Sequence, residues 1–179
     1  LDSASTASLF LGISASKGQQ NCSIKSCVIY GHAGADSTSI HGGIRIHDYG
    51  QWKIYGCSIY GTKTAATSGT QIGIKIDSST TCEIRNNIVI DCYNSGSGGS
   101  ADYSIGSTPT TSCSNNMSGD ATAPGVDSLT SKTAANTWVN AGARNFYLKA
   151  GISEAREAGI DRANGGPLGT KLDALRNGR

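Results

Sequence analysis

The sequence predicts an all-β solenoid, one chain coiling through parallel sheets in about four turns of roughly thirty residues each. Three observations predict it. First, a ten-residue phrase recurs at a fixed step: "CSIKSCVIYG" (Cys22 to Gly31), "WKIYGCSIYG" (Trp52 to Gly61) and "CEIRNNIVID" (Cys82 to Asp91). Second, each phrase alternates apolar and polar residues over four to six positions, the two-residue period of a strand rather than the 3.6 of a helix. Third, the chain holds 24 glycines but 3 prolines, and charged residues make up only 16%. Against a typical quarter, that is the profile of a turn-rich β protein.

Taken in order, the rows align Ile24, Ile54 and Ile84, then Cys27, Cys57 and Asn87, then Ile29, Ile59 and Val89. A fourth row continues as "SCSNNMSGD", and the same step places Asn116 under Asn86 and Met117 under Asn87. A second phrase keeps the beat: "GIRIHD" (Gly43 to Asp48) returns as "GIKID" (Gly73 to Asp77), and "YSIG" (Tyr103 to Gly106) follows with a slip of about one residue. The linkers "GHAGADSTSIHG" and "GTKTAATSGTQIG" read as loops. Each row therefore holds about three short strands, too few for a propeller blade of about 40 residues. Stacked rows bring equivalent positions roughly 4.8 Å apart along parallel ladders.

"CEIRNNIVID" resembles the right-handed parallel β-helix repeat of pectate-lyase-like proteins and phage tailspikes, where an inward Ile is followed by Asn at a turn and then by another inward aliphatic. The resemblance covers about residues 9 to 118. It implies a right-handed, single-stranded helix of coils over residues 1–118. "NFYLKAGISEAREAGID" (Asn145 to Asp161) is similar to the closing segment often found after such helices, with Ile-Ser where that segment usually has Ser-Pro. Residues 119–179 are thus expected to be a C-terminal cap rather than an independent domain.

The alternation assigns faces. In the third row Ile84, Asn87 and Val89 point inward and Glu83, Arg85, Ile88 and Ile90 outward, and Cys27 and Cys57 stack in the Asn87 column. Stacked Asn side chains can bond one another and the orphan backbone groups of a bend. The outer face carries an apolar stripe of Val28, Tyr30, Tyr60, Ile88 and Ile90. Such a stripe is a subunit interface, a glycan-stacking platform, or a surface covered by the chain's own loops or C-terminal segment.

With Ile44, Ile46, Ile74 and Ile76 inward, Arg45, His47, Lys75 and Asp77 point outward, within about 7 Å of each other across adjacent coils. The resembling polysaccharide lyases use an Arg or Lys base beside a carboxylate-bound cation, which makes these four the best catalytic candidates. The same residues could also form ordinary surface ion pairs.

Other chemistries find no pattern. The outward carboxylates Asp48, Asp77, Glu83 and Asp91 form no evident pair for glycoside hydrolysis. His32, His41 and His47 lack Cys partners at zinc spacing, and Asp77 alone makes no calcium cage, so no metal and no cofactor is expected. "GSGGSADYSIG" and "NGGPLGTK" lack the phosphate-loop order. A net charge of +2 suggests no nucleic-acid partner, and no run approaches the roughly 18 apolar residues of a membrane helix. Two sequons, at Asn21 and Asn116, are short enough to arise by chance. The six cysteines read as small apolar fillers with free thiols rather than as a disulfide framework.

Past residue 119 the beat fades. Eight of the 15 basic residues precede position 144 and seven stand from 144 onward, against nine and four acidic ones, so the tail is locally +3. A solenoid must cover its open end, and Trp138, Phe146 and Leu148 are the expected plug, with "ISEAREAGI" as a short helix stopped by Gly159. The first residue, Leu1, falls inside an already patterned stretch, which reads as a piece of a longer protein. The preferred expectation is a structural and interaction rod, extracellular or on a virion surface, whose partners are other subunits of a homo-oligomer such as a trimer, a particle surface or polysaccharide. The rival is a polysaccharide lyase or glycoside hydrolase with a groove on the outer face.

Overall fold

The computed structural model describes residues 11–15, 19–31, 33–34, 40–47, 50–61, 63–64, 70–77, 80–96, 99–106, 112–149, 160–161 and 166–167. A first coil holds β1 (Leu11–Ala15), β2 (Gln19–Lys25), β3 (Val28–Tyr30) and β4 (Ala33–Gly34). A second repeats it as β5 (Ile40–Ile46), β6 (Gly50–Tyr55), β7 (Ser58–Tyr60) and β8 (Lys63–Thr64). A third follows as β9 (Thr70–Ile76), β10 (Thr80–Arg85), β11 (Ile88–Ile90) and β12 (Tyr93–Asn94), and a fourth as β13 (Ser100–Ile105), β14 (Ser112–Ser114) and β15 (Met117–Ser118). Each strand pairs in parallel with its equivalents one coil away, in sheets ordered β1-β5-β9-β13, β14-β10-β6-β2, β15-β11-β7-β3 and β12-β8-β4. In each of the first three coils the chain passes through four ladders, one more than the three strands the sequence suggests. The extra strand is two residues long, too short to show an alternation.

The inward columns are those the periodicity predicts. Ile24, Ile54, Ile84 and Cys113 stack in one, Ile44, Ile74 and Tyr103 in another, Ile29, Ile59 and Val89 in a third. Ile44, Ile54, Ile59, Ile74, Ile84 and Val89 are fully buried, each worth about 1.5–3 kcal/mol of burial. All six cysteines are free thiols. Burial raises the Cys57 thiol to about 11 and the Cys82 thiol to about 12, so both stay protonated as packing groups.

The corners explain residues the alternation leaves unread. Ser26, Gly56, Asn86 and Asn115 occupy the same bend in four successive coils, all left-handed with φ between 53° and 62°. A second bend repeats as Gly31, Gly61 and Asp91. Gly and Asn reach that conformation at little steric cost. A different constraint holds Gly73 in β9: a Cβ there would lie 2.1 Å from Val89 Cγ1 and 2.7 Å from the Asp102 carbonyl oxygen. Sheet and core leave no room for a side chain.

One register differs from expectation. Met117 pairs with Ile88, so Asn116, not Met117, continues the Asn87 column. The step into the fourth coil is one residue shorter, the same slip that sets Tyr103 opposite Ile74. The end of the solenoid is closed by a shortcut: after β15 the chain lays Val126 beside Ser114 and Leu129 beside Met117 in parallel bridges, without completing another coil.

The expected plug lies elsewhere. A one-turn helix α1 (Ala134–Thr137), N-capped by Thr133, leads into β16 (Trp138–Asn140), which pairs antiparallel with β17 (Asn145–Leu148) through a short 3-10 turn. This hairpin packs on the outer face of the β3-β7-β11-β15 sheet, not over the end of the core. Trp138 is fully buried against Ile90 and Met117, with Phe146 and Leu148 beside it. Most of the helix expected over residues 152–160 lies outside the described residues. Its last residue, Ile160, instead begins β18 (Ile160–Asp161), paired with β19 (Gly166–Pro167).

Candidate functional site

Two neighbouring rungs set the charged cluster. β5 and β9 place Arg45 directly opposite Lys75, two cations that would repel if nothing intervened. Asp77 intervenes: its Oδ2 accepts from Arg45 Nε at 3.0 Å and from the terminal guanidinium nitrogen at 2.9 Å, and Lys75 Nζ lies 3.3 Å from Oδ1. His47 Nδ1 stands 3.9 Å from Oδ2 with its side chain 46% exposed. The sequence brings the right four residues together. It misjudges one orientation, since the Arg45 side chain is only 11% exposed and lies folded along the sheet rather than out in solvent. Both Arg45 nitrogens converge on one oxygen, and this mostly buried, charge-assisted pair is a stronger bond than two freely solvated ends would make.

A second network brackets the next sheet. Tyr55 donates to Glu83, Arg85 Nε pairs with the other Glu83 oxygen at 2.9 Å, and Arg85 reaches Ser112 Oγ at 2.9 Å. Arg85, expected to point outward, is thus committed within the chain.

The apolar stripe splits in two. Ile90, expected outward, is fully buried, and Ile88 and Tyr60 are partly buried, because the β16–β17 hairpin lies over them. Tyr60 meets Trp138 edge-on at 5.6 Å and Phe146 at 5.9 Å. The hairpin thins toward the first coil. There Phe146 touches Tyr30 at 5.4 Å and the Arg144 guanidinium lies 5.2 Å over the same ring, yet Tyr30 stays 42% and Val28 51% exposed.

A family model described as the right-handed beta helix region matches residues 2–140. The chain belongs to that family. A comparison with curated proteins and with solved structures finds no match. Family membership supplies the hand of the coil, and it leaves the function of this right-handed β-helix to its own residues.

One residue that the repeat pattern hides stands out in this β-helix. Asp102 in β13 is 2% exposed, at the position where the coils above carry Gly43 and Gly73. Its Oδ1 accepts from Cys92 N at 3.0 Å, and its Oδ2 accepts from the backbone N–H groups of Gly119 and Asp120. Asp120 in turn accepts from Asp102 N at 2.8 Å. Asp102 therefore ties the third coil to the turn that ends the solenoid. Burial pushes its carboxyl up to about 7, against the downward pull of its three N–H donors. Among the described residues of the β-helix, no group of three or more His, Cys, Asp or Glu side chains is placed to hold a metal.

Proposed function

We propose that this β-helix is a structural and interaction module, a rigid rod on an extracellular or virion surface, comparable to tailspike and decoration proteins. The observation that carries the reading is the pairing of Asp77 with cations from both rungs. Each of its oxygens meets a cation, Oδ2 both Arg45 nitrogens and Oδ1 the Lys75 ammonium, so the carboxylate braces two rungs. A brace of this kind stiffens a solenoid whose coils contact only their neighbours. The exposed end of the stripe, Val28 and Tyr30, is the contact this reading assigns to a second subunit or a particle surface.

A second reading, a polysaccharide lyase, draws on the convergence of Arg45, His47, Lys75 and Asp77. Two guanidinium or ammonium cations against one carboxylate leave a local charge of +1, attractive to a uronate, and His47 is the exposed member. Incubation with uronate-containing polysaccharides separates the two. The rod reading expects a flat absorbance trace; growth of an unsaturated product, abolished by Arg45→Ala, would establish the lyase. Sedimentation then tests the rod directly, with self-association or partner-dependent sedimentation lost in a Tyr30→Ser variant as the expected result. A monomer indifferent to partners overturns it.

A further inference from the structure

The inner corner column changes chemistry halfway along. In the third and fourth coils it holds Asn87 and Asn116, whose amides bond each other and the backbone. In the first and second coils it holds Cys27 and Cys57. The register sets these two directly over one another: Lys25 pairs with Tyr55, Val28 pairs with Ser58, and Ser58 N donates to Cys27 O at 2.9 Å. Stacked positions on a parallel ladder stand about 4.8 Å apart, within the roughly 4.4–6.8 Å between Cα atoms that a disulfide spans.

The thiols meet as well. Cys27 Sγ lies 3.4 Å from Lys25 O and Cys57 Sγ 3.6 Å from Tyr55 O, and the two side chains are in hydrogen-bond contact with each other. The other cysteines are not stacked in this way. Trp52 stands between Cys22 and Cys82, Cys113 faces Ile84, two positions along from Cys82, and Cys92 adjoins Tyr93, whose partner is Lys63. Cross-strand neighbours two positions along are about 7–8 Å apart, beyond ordinary disulfide reach. Access differs within the stacked pair. Cys27 is half-buried on the first coil, where β2 and β3 end their sheets among the described residues, and Cys57 is buried one rung behind it. An oxidant therefore meets Cys27 first.

We propose that Cys27 and Cys57 form an oxidation site, closing into a disulfide that staples the first coil to the second. The oxidant class is a low-molecular-weight disulfide such as oxidised glutathione. Cys27, as thiolate, attacks one glutathione sulfur, forming a mixed disulfide and releasing one glutathione; Cys57, as thiolate, then attacks the Cys27 sulfur and expels the second. Two protein thiols are oxidised, one glutathione disulfide is reduced to two thiols, and the protons shed by the cysteines end on the released glutathiones. Burial holds the Cys57 thiol up at about 11, so roughly a thousandth of it is thiolate at pH 8 and closure is slow. The staple joins positions one full coil apart, a loop long enough to restrict the unfolded chain substantially. The proposal does not depend on the rod reading: the linkage is read on a single chain, assembly by sedimentation, and either can fail alone.

The test holds the full chain, without denaturant, in oxidised glutathione at pH 8 for about a day, caps remaining thiols with N-ethylmaleimide and digests with trypsin. The expected result is recovery of the peptides Ser26–Arg45 and Ile54–Lys63 joined, two hydrogens lighter than their sum and separated again by dithiothreitol. The oxidised chain should melt about 5–10 °C higher than the reduced one. Cys27→Ser and Cys57→Ala should each abolish both the joined peptide and the rise. Both thiols still capped after the incubation would overturn the proposal. So would glutathione retained on Cys27 with Cys57 unlinked, a joined peptide that forms only in urea, or a linkage that leaves the melting temperature unchanged or lower.

Discussion

Asn87 and Asn116 stand on neighbouring coils at the same inner corner, and Asn87 Nδ2 donates to Asn116 Oδ1 at 3.1 Å. Each also serves the backbone. Asn87 Oδ1 accepts from Cys57 N at 3.0 Å and its amide donates to Ile54 O at 2.9 Å; Asn116 donates to Ile84 O at 2.9 Å and Pro124 O at 3.1 Å. Both side chains are fully buried. Above them the column holds Cys57 and Cys27, so the polar ladder occupies only the last two coils, where the solenoid must be closed.

Asn87→Ala should therefore cost about 2–4 kcal/mol, because it strands the Cys57 N–H and the Ile54 carbonyl at roughly 1–3 kcal/mol per orphaned group. Asn87→Cys, copying the coils above, fills more of the space but restores neither bond, so it should recover only part of the loss. Urea denaturation measures both. Equal stability of wild type and Asn87→Ala would show that the ladder is decorative.

Asp102 gives a pH dependence whose sign is set by its raised carboxyl, ordinarily 3.8 and here about 7. Between those values the folded chain holds a proton that the unfolded chain has released, so stability is greatest below about pH 4, falls as pH rises through the folded value near 7, and is level above it. The size is on the order of a few kcal/mol. Melting temperature from pH 4 to 8 reads the slope. Asp102→Asn should flatten it while lowering stability throughout, since an amide turns N–H toward backbone donors. A profile that climbs from pH 4 to 7 would show the three N–H donors outweighing burial.

Gly73→Ala tests the close approach between β9 and the core. The new methyl would meet Val89 and the Asp102 carbonyl at distances no relaxed Cβ adopts, so the expected cost is at least the 1–3 kcal/mol typical of overpacking. Gly73→Ala combined with Val89→Ala should recover part of that loss, which chemical denaturation of the single and double variants would reveal. No recovery would place the clash with the Asp102 carbonyl and Cys92 Sγ, the other two atoms against that position.

These residues mark what was legible in the sequence. The Ile columns and the meeting of Arg45, His47, Lys75 and Asp77 follow from a two-residue period and a fixed step, both written in local sequence. Asn116 fell one position out because a step shortened by a single residue is invisible where the phrase itself has degenerated. Asp102 gave no signal: its column holds glycine above, and a turn formed by residues 119 and 120 supplies its partners. Ile90 read as outward because alternation along β11 knows nothing of a hairpin some fifty residues later. The periodicity describes the coils; what lies against them is tertiary and non-local.

The hairpin over the stripe yields the last prediction. Trp138 shields Ile90 and Met117 and braces Tyr60 and Phe146, with ring centroids at 5.6 and 5.3 Å. Trp138→Ala should cost about 3–5 kcal/mol, the usual range for a buried aromatic. Because the coils keep their own core, the greater consequence is exposure: Tyr60, Ile88 and Ile90 would rejoin Val28 and Tyr30 in one continuous apolar strip. Phe146→Ala, removing a partly buried ring nearer the first coil, should expose less of it. Binding of an environment-sensitive dye and sedimentation at increasing concentration follow the two variants, with dye binding and self-association expected to rank Trp138→Ala above Phe146→Ala above wild type. A Trp138→Ala protein that keeps its β-sheet circular dichroism yet neither binds dye nor associates would mean that the hairpin stabilises the coils without masking them.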